Sequence, residues 1–156
     1  MPYRNELIET LGLHLEAEYG LPPLAARIYA ELVLTDDQGL TFEECLAKRG
    51  ASKGSVSTAL NLLQKMGIIT YYTKPGDRKR HFTIAARKAF FRSKLEEQLK
   101  KIEKDRAIIK LVNDYNKEYR QAHYESYGQR TETYLDFLDE SERLVRRSLD
   151  QFKQWN

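Results

Sequence analysis

The chain has one cysteine, Cys45, among its 156 residues. No internal disulfide can form, which sets aside a disulfide-stapled scaffold and suits a reducing, cytoplasmic setting. No apolar run approaches the roughly 20 residues needed to cross a bilayer. The opening stretch, MPYRNELIET, is too polar for a signal peptide, so no membrane partner is expected. The three histidines, His14, His81 and His123, share no metal-ligand spacing with one another or with Cys45. No glycine-rich phosphate loop or nucleophile elbow occurs. The carboxylates Glu16, Glu18, Asp139, Glu140 and Glu142 sit on solvated, helix-like stretches. No catalytic residue, metal or cofactor is therefore expected, and the chain does not read as an enzyme.

Net charge is also scarce, at +3 for the whole chain. Its distribution is uneven. From Lys48 to Arg80 the basic residues are Lys48, Arg49, Lys53, Lys65, Lys74, Arg78, Lys79 and Arg80, against Asp77 alone. The stretch before it, Met1 to Ala47, holds Arg4 and Arg27 against nine acids. A basic module inside a near-neutral chain is the footprint of local phosphate contact, the alternative being a solvated basic face. The 41% apolar content is enough for a core.

The order of parts leading into and through that window is informative. Asn5 to Tyr19 reads as a helix through Leu7, Ile8, Leu11 and Leu15, and Gly20 ends it. Pro22 and Pro23 suit the first turn of a second helix, whose inner stripe is Leu24, Ile28, Tyr29, Leu32 and Val33. Thr35 to Gly39 is a turn cluster. Thr41-x-x-Glu44 is a capping box that opens a helix with Phe42, Cys45 and Leu46 on one face, so Cys45 is expected to be a small core residue. Gly50 ends that helix and Ser52 caps the next. There Val56, Leu60 and Leu63 form the buried side and Gly67 the stop. Ile68 to Thr73 and His81 to Ile84 are β-branched and aromatic, hence strands, around the turn KPGDRKR.

Two capped helices followed by a basic hairpin make a winged helix-turn-helix, which places its second helix in the DNA major groove. Ser52, Lys53, Ser55, Ser57, Thr58, Asn61 and Lys65 then become the candidate recognition-helix contacts. Lysine reaches guanine acceptors, asparagine pairs with adenine, and serine or threonine serves several bases. Lys74, Arg78, Lys79 and Arg80 are the candidate wing contacts to phosphate or a minor groove. Asp77 is expected to brace the turn or a neighbouring arginine.

From Ala85 onward there is no proline and one glycine, Gly128. Phe91, Leu95, Leu99, Ile102, Ile109, Val112 and Tyr119 trace a stripe along a long helix, expected from Ala85 to about Tyr124 and roughly 60 Å in length. Such a helix needs a partner, and a second copy is the economical one, so these seven residues are the candidate dimer contacts. A final helix is expected over Thr131 to Trp155. Tyr115, Tyr119, Tyr124, Tyr127 and Tyr134 crowd near the joint, where packing between helices is preferred to an aromatic cage for a cationic ligand.

Expected, then, is a mostly α fold with a small β wing. A DNA-binding domain occupies 1–84, and a helical dimerisation region with possible effector sensing occupies 85–156. The function this implies is sequence-specific binding of double-stranded DNA by a homodimer. The competing reading is a winged-helix protein-interaction module, for which the basic wing would be unnecessary.

The stretches YGLPPLAARIYAELVL, SKGSVSTALNLLQKMGII and GDRKRHF resemble the GbsR-like branch of MarR-type transcriptional regulators. The resemblance covers about Tyr19 to Ile84, with SKGSVS its most specific part, and holds only in outline beyond it. It implies a dimeric bacterial repressor on an inverted repeat, with Ser52 to Thr58 and Asn61 in the recognition helix and Lys74 to Arg80 in the wing. No ligand motif carries over, so an effector would be a small molecule of unknown identity.

Overall fold

Local capping signals lay out the first half of the molecule. The computed structural model describes residues 2–155, which divide into two compact units, Met1–Arg87 and Lys88–Asn156. In the first unit, helix α1 spans Pro2–Tyr19 and α2 spans Pro23–Val33, with proline in its first turn where a missing N–H costs nothing. Strand β1, Leu40–Thr41, runs directly into α3, Phe42–Arg49. At that junction the Thr41 hydroxyl accepts from the Glu44 N–H at 3.2 Å, and the Glu44 carboxylate accepts from the Thr41 N–H at 2.7 Å. This reciprocal cap satisfies two otherwise orphaned donors. Helix α4, Lys53–Lys65, begins at Ser52, whose hydroxyl accepts from the Ser55 N–H at 3.1 Å. It ends on Gly67 at φ +71°, with the Gly67 N–H on the Gln64 carbonyl and the Ile68 N–H on the Leu63 carbonyl. This paired C-terminal closure turns the chain directly into the hairpin.

Strands β2, Ile69–Thr73, and β3, Arg80–Ile84, form that antiparallel hairpin, and β1 adds to the other side of β3, giving the order β1-β3-β2. Leu40 pairs with Phe82, and Tyr71 pairs with Phe82 from the opposite side. The sequence contained no cue for β1, because two residues carry no periodicity and the strand exists only through its pairing with β3.

The core lies between α2 and its neighbours. Ala25, Ala26, Ile28, Ala30 and Leu32 of α2 are at most 1% exposed. They meet Ile8 and Leu15 of α1 and Val56, Leu60 and Leu63 of α4, all buried. Each large apolar side chain buried this way contributes roughly 1.5–3 kcal/mol. The alanines on α2 let two helices approach it closely. Polar residues lock the same layer. Glu31, 2% exposed, is held between Arg4 of α1 and Arg49 of α3. Arg27 pairs with Glu9 and Glu16 of α1. Arg87 donates to the carbonyls of Leu32, Val33 and Thr35, satisfying the open end of α2.

The second unit is an antiparallel helical hairpin. A short 3-10 turn, Arg87–Ala89, leads into α5, Phe90–Tyr119, and α6 spans Gln121–Phe152. Ion pairs fix the register: Arg106 binds Asp139 at 2.9 Å and also Glu142, and Arg146 binds Glu103 at 2.6 Å. The expected helix boundaries need correction here. The break falls at Arg120, φ −138° and ψ 58°, and not between Tyr124 and Thr131. Gly128 lies inside α6, buried beneath the Tyr124 ring, so it marks close packing and not a helix end. No glycine or proline marks the actual turn, which is why the sequence concealed it.

Candidate nucleic-acid interface

The outer face of α4 carries every candidate recognition residue. Ser52, Lys53, Ser55, Ser57, Thr58, Asn61 and Lys65 are all exposed, while Val56, Ala59, Leu60 and Leu63 face the core. The helix contains no acid. Ser52 and Ser55 are joined by a 2.8 Å hydroxyl contact as well as by the cap, so this pair serves the helix start first. Lys53, Ser57, Thr58, Asn61 and Lys65 are unburdened by such bonds among the described residues.

The hairpin brings the wing beside that face. Ser57 and Asn61 of α4 line one shallow groove together with Lys79 and Arg80 and with Phe82 at its floor. Glu43 of α3 lines the same groove. Arg78, Lys79 and Arg80 are exposed, and Lys74 is half-buried at the start of the turn. Among the described residues, Lys53, Lys65, Lys74 and Arg78 make no ion pair, so their charge remains available to an anion.

Asp77 braces the turn. Its carboxylate accepts the Lys79 N–H at 2.9 Å and lies 3.4 Å from the His81 imidazole. The Lys79 bond, and after it the His81 bond, holds the Asp77 carboxyl below the usual carboxylate range. His81 is 8% exposed and stacks on Tyr72 with ring centroids 5.4 Å apart. The Tyr72 hydroxyl donates to the Gln38 carbonyl at 2.8 Å. The wing is thereby tied at its base to β1 and its preceding turn.

Not every basic residue of the window is available. Arg49 is bound to buried Glu31 at 2.7 Å, so its guanidinium is already engaged within the protein. Arg80 rests on the Tyr71 ring, its Cζ 4.5 Å from the centroid. Tyr71 could have been noticed in the sequence only by aligning β2 against β3, because its partner lies nine residues away.

Cys45 is 2% exposed, and burial, followed by the nearby Glu44 and Glu31 carboxylates, pushes its thiol up to about 11. It is a core residue. No cluster of metal-ligating side chains occurs among the described residues, and no described helix is long and apolar enough to cross a membrane.

In the helical hairpin the stripe drawn from the sequence divides. Leu95, Leu99, Ile102 and Ile109 are half-buried and share the α5 face of Arg106, which is ion-paired to α6. Phe91, Val112 and Tyr119 are 67%, 56% and 66% exposed. Ile108, Leu111 and Tyr115 on α5, and Tyr134, Phe137 and Leu144 on α6, are exposed as well and were absent from the expected set. The tyrosines near the joint are largely at the surface and pair along their own helices: Tyr115 with Tyr119 at 5.2 Å, and Tyr134 with Phe137 at 5.7 Å. Lys117 and Arg130 already lie over the Tyr124 and Tyr127 rings.

Two solved structures were compared with the chain. One described as a transcriptional regulator matches with a TM-score of 0.54 and 23% identity, over 98% of this chain and 99% of its own. A mutant of S. aureus MepR matches with a TM-score of 0.44 and 14% identity, over 85% of this chain and 90% of its own. No family model and no curated protein matches the chain. The fold is a winged helix-turn-helix followed by two long C-terminal helices.

Proposed function

We propose that the protein is a transcriptional regulator that binds double-stranded DNA sequence-specifically. In this reading α4 enters the major groove, and Lys53, Ser57, Thr58 and Asn61 meet base edges. Lys74, Arg78, Lys79 and Arg80 meet the adjoining backbone or minor groove. The observation that carries the reading is the acid-free outer face of α4 beside the basic wing, with Ser57, Asn61, Lys79 and Arg80 on one groove. A docking module has no need of unpaired positive charge there. The structural neighbour that spans nearly the whole chain is itself described as a transcriptional regulator, and the reading extends that activity to this protein.

The finer form of the proposal is a cytoplasmic, bacterial homodimeric repressor of the GbsR-like type, binding an inverted repeat with half-sites about 34–36 Å apart. The residues 1–84 form its DNA-binding domain and 85–156 its dimerisation region. A small-molecule effector would act by shifting the population of DNA-competent dimers.

The test is selection of binding sites from random double-stranded DNA at near-physiological salt, with oligomeric state measured in parallel. The expected result is an enriched inverted repeat bound by a dimer. Weak, salt-sensitive binding with no enriched sequence would instead favour a protein-docking role for the winged domain.

A further inference from the structure

Arg80 differs from the other wing cations in being held by an aromatic ring. Tyr71 and Arg80 are diagonal neighbours on one face of the hairpin, since Tyr71 pairs with Phe82 and Thr73 pairs with Arg80. The Arg80 Cζ stands 4.5 Å from the Tyr71 centroid. The Tyr71 ring is itself set against Phe82, at 6.0 Å and 60°, and Phe82 is 5% exposed and anchored in the core. A chain of contacts thus runs from the core to a guanidinium on the groove that Ser57 and Asn61 also line. Among the described residues no carboxylate pairs with Arg80, so its in-plane N–H edges are unspent.

We infer that Tyr71 is a positioning residue for DNA recognition: it fixes the plane of the Arg80 guanidinium so that Arg80 makes an oriented, bidentate contact beside the α4 reading surface. The inference rests on the DNA-binding reading above. Stacking restrains the side chain without consuming its donors, which remain free for a phosphate or a guanine edge. An arginine already held in its bound orientation loses less conformational freedom on binding than a free one does. Arg78 is exposed and has no aromatic ring under it among the described residues.

The experiment measures affinity for the selected duplex as a function of salt for Tyr71→Ala, Tyr71→Leu, Tyr71→Phe, Arg80→Lys, Arg80→Ala and Tyr71→Ala/Arg80→Ala. Thermal unfolding of each variant is recorded alongside. Tyr71→Ala and Tyr71→Leu are expected to bind about 3- to 10-fold more weakly with an unchanged salt slope, because the charge is still present. Tyr71→Phe keeps the ring and restores wild-type affinity. Arg80→Lys resembles Tyr71→Ala, whereas Arg80→Ala also lowers the slope by about 0.9. The double variant matches Arg80→Ala, since Tyr71 acts through Arg80. Wild-type affinity in both Tyr71→Ala and Tyr71→Leu, a Tyr71→Phe as weak as Tyr71→Ala, or additive losses in the double variant each overturn the role of Tyr71 and leave DNA binding intact. Failure of the wild-type protein to bind any selected duplex overturns the DNA reading itself.

Discussion

Nη2 of Arg49 lies 2.7 Å from Oε1 of Glu31, whose side chain is 3% exposed. The pair joins the last turn of α3 to the last turn of α2, just before the chain turns into α4. It therefore bears on where α4 sits relative to the core. Removing Arg49 leaves the buried Glu31 carboxylate with Arg4 as its ion-pair partner and takes away one charge-assisted hydrogen bond. Arg49→Met is expected to destabilise the protein by about 1.5–3 kcal/mol in urea unfolding. Arg4→Met should cost less, because the Arg4 side chain is 33% exposed and Glu31 retains Arg49. Equal losses for the two variants would show that the α2–α3 tie is not the dominant one.

A second prediction concerns Gly39, which has φ +69° in the turn before β1. A Cβ there would stand 2.2 Å from the Phe82 carbonyl oxygen, a backbone atom of β3 that cannot retreat without opening the sheet. Gly67 has φ +71°, but a Cβ there would meet nothing within 4 Å. Gly67→Ala should cost only the conformational penalty, about 1–2 kcal/mol. Gly39→Ala should cost clearly more and loosen the pairing of Leu40 with Phe82. Thermal unfolding, with amide exchange of the β1–β3 pair, separates the two effects.

How legible these features were depended on how local their causes are. The Thr41–Glu44 box, the Ser52 cap and the Gly67 stop are written within three or four residues, and each appears where the chain's own chemistry places it. The alternation of core and surface along α4 is similarly local. β1, the Arg49–Glu31 pair, the Arg87 clasp on α2 and the Tyr71–Arg80 contact depend on segments far apart in the chain or on strand register. Composition cannot reveal them. Arg49 shows the consequence: counted as one cation in a basic window, it is committed to the core. The α5–α6 turn at Arg120 was hidden for another reason. It lacks any helix-breaking residue, while Gly128, which suggests a break, is accommodated inside α6 under Tyr124.

Cys45 gives a prediction in pH. Its thiol is pushed up to about 11 by burial and by the adjacent carboxylates, from an ordinary value near 9.0. A raised folded-state value means the folded protein holds the proton more tightly than the unfolded chain does. The resulting contribution is complete below about pH 9 and is lost as pH rises toward 11. Urea unfolding of the wild type should therefore weaken between pH 8.5 and 11 more than that of Cys45→Ala. At pH 8 a thiol-reactive dye should label native Cys45 orders of magnitude more slowly than the urea-unfolded protein. Fast native labelling would mean the α3 face opens readily.

The wing brace titrates in the opposite direction. The Lys79 N–H and His81 hold the Asp77 carboxyl below its ordinary range. A lowered folded-state value gives a contribution that is present above about pH 4 and is lost as pH falls through the folded value. Asp77→Asn keeps the shape of the side chain but removes its charge. Amide exchange at Lys79 should be faster in that variant at pH 6, with little change in global stability because the turn is at the surface. DNA affinity should fall a few-fold if the braced turn is what presents Lys79. Unchanged exchange at Lys79 would show that the turn is held by its backbone alone.

The helical hairpin offers a test of the proposed homodimer through two kinds of leucine. Leu138 of α6 is 3% exposed and packs within the hairpin, whereas Leu144 is 54% exposed on the same helix. Val112 on α5 is 56% exposed. Leu138→Ala should destabilise the protein by about 2–5 kcal/mol, through lost burial and the cavity left behind. Leu144→Glu and Val112→Glu change side chains that are more than half exposed, so helix content at high protein concentration should be retained. If a second copy covers that apolar face, each glutamate places a charge in the interface, and the dimer dissociation constant should rise about 100-fold or more. Apparent unfolding temperature would then fall and become less concentration-dependent, because its rise with concentration comes from folding being linked to association. Sedimentation over a wide concentration range gives the decisive comparison. Glutamate variants that remain dimeric like the wild type would move the dimer contact away from Val112 and Leu144, to the other exposed apolar residues or to the winged unit.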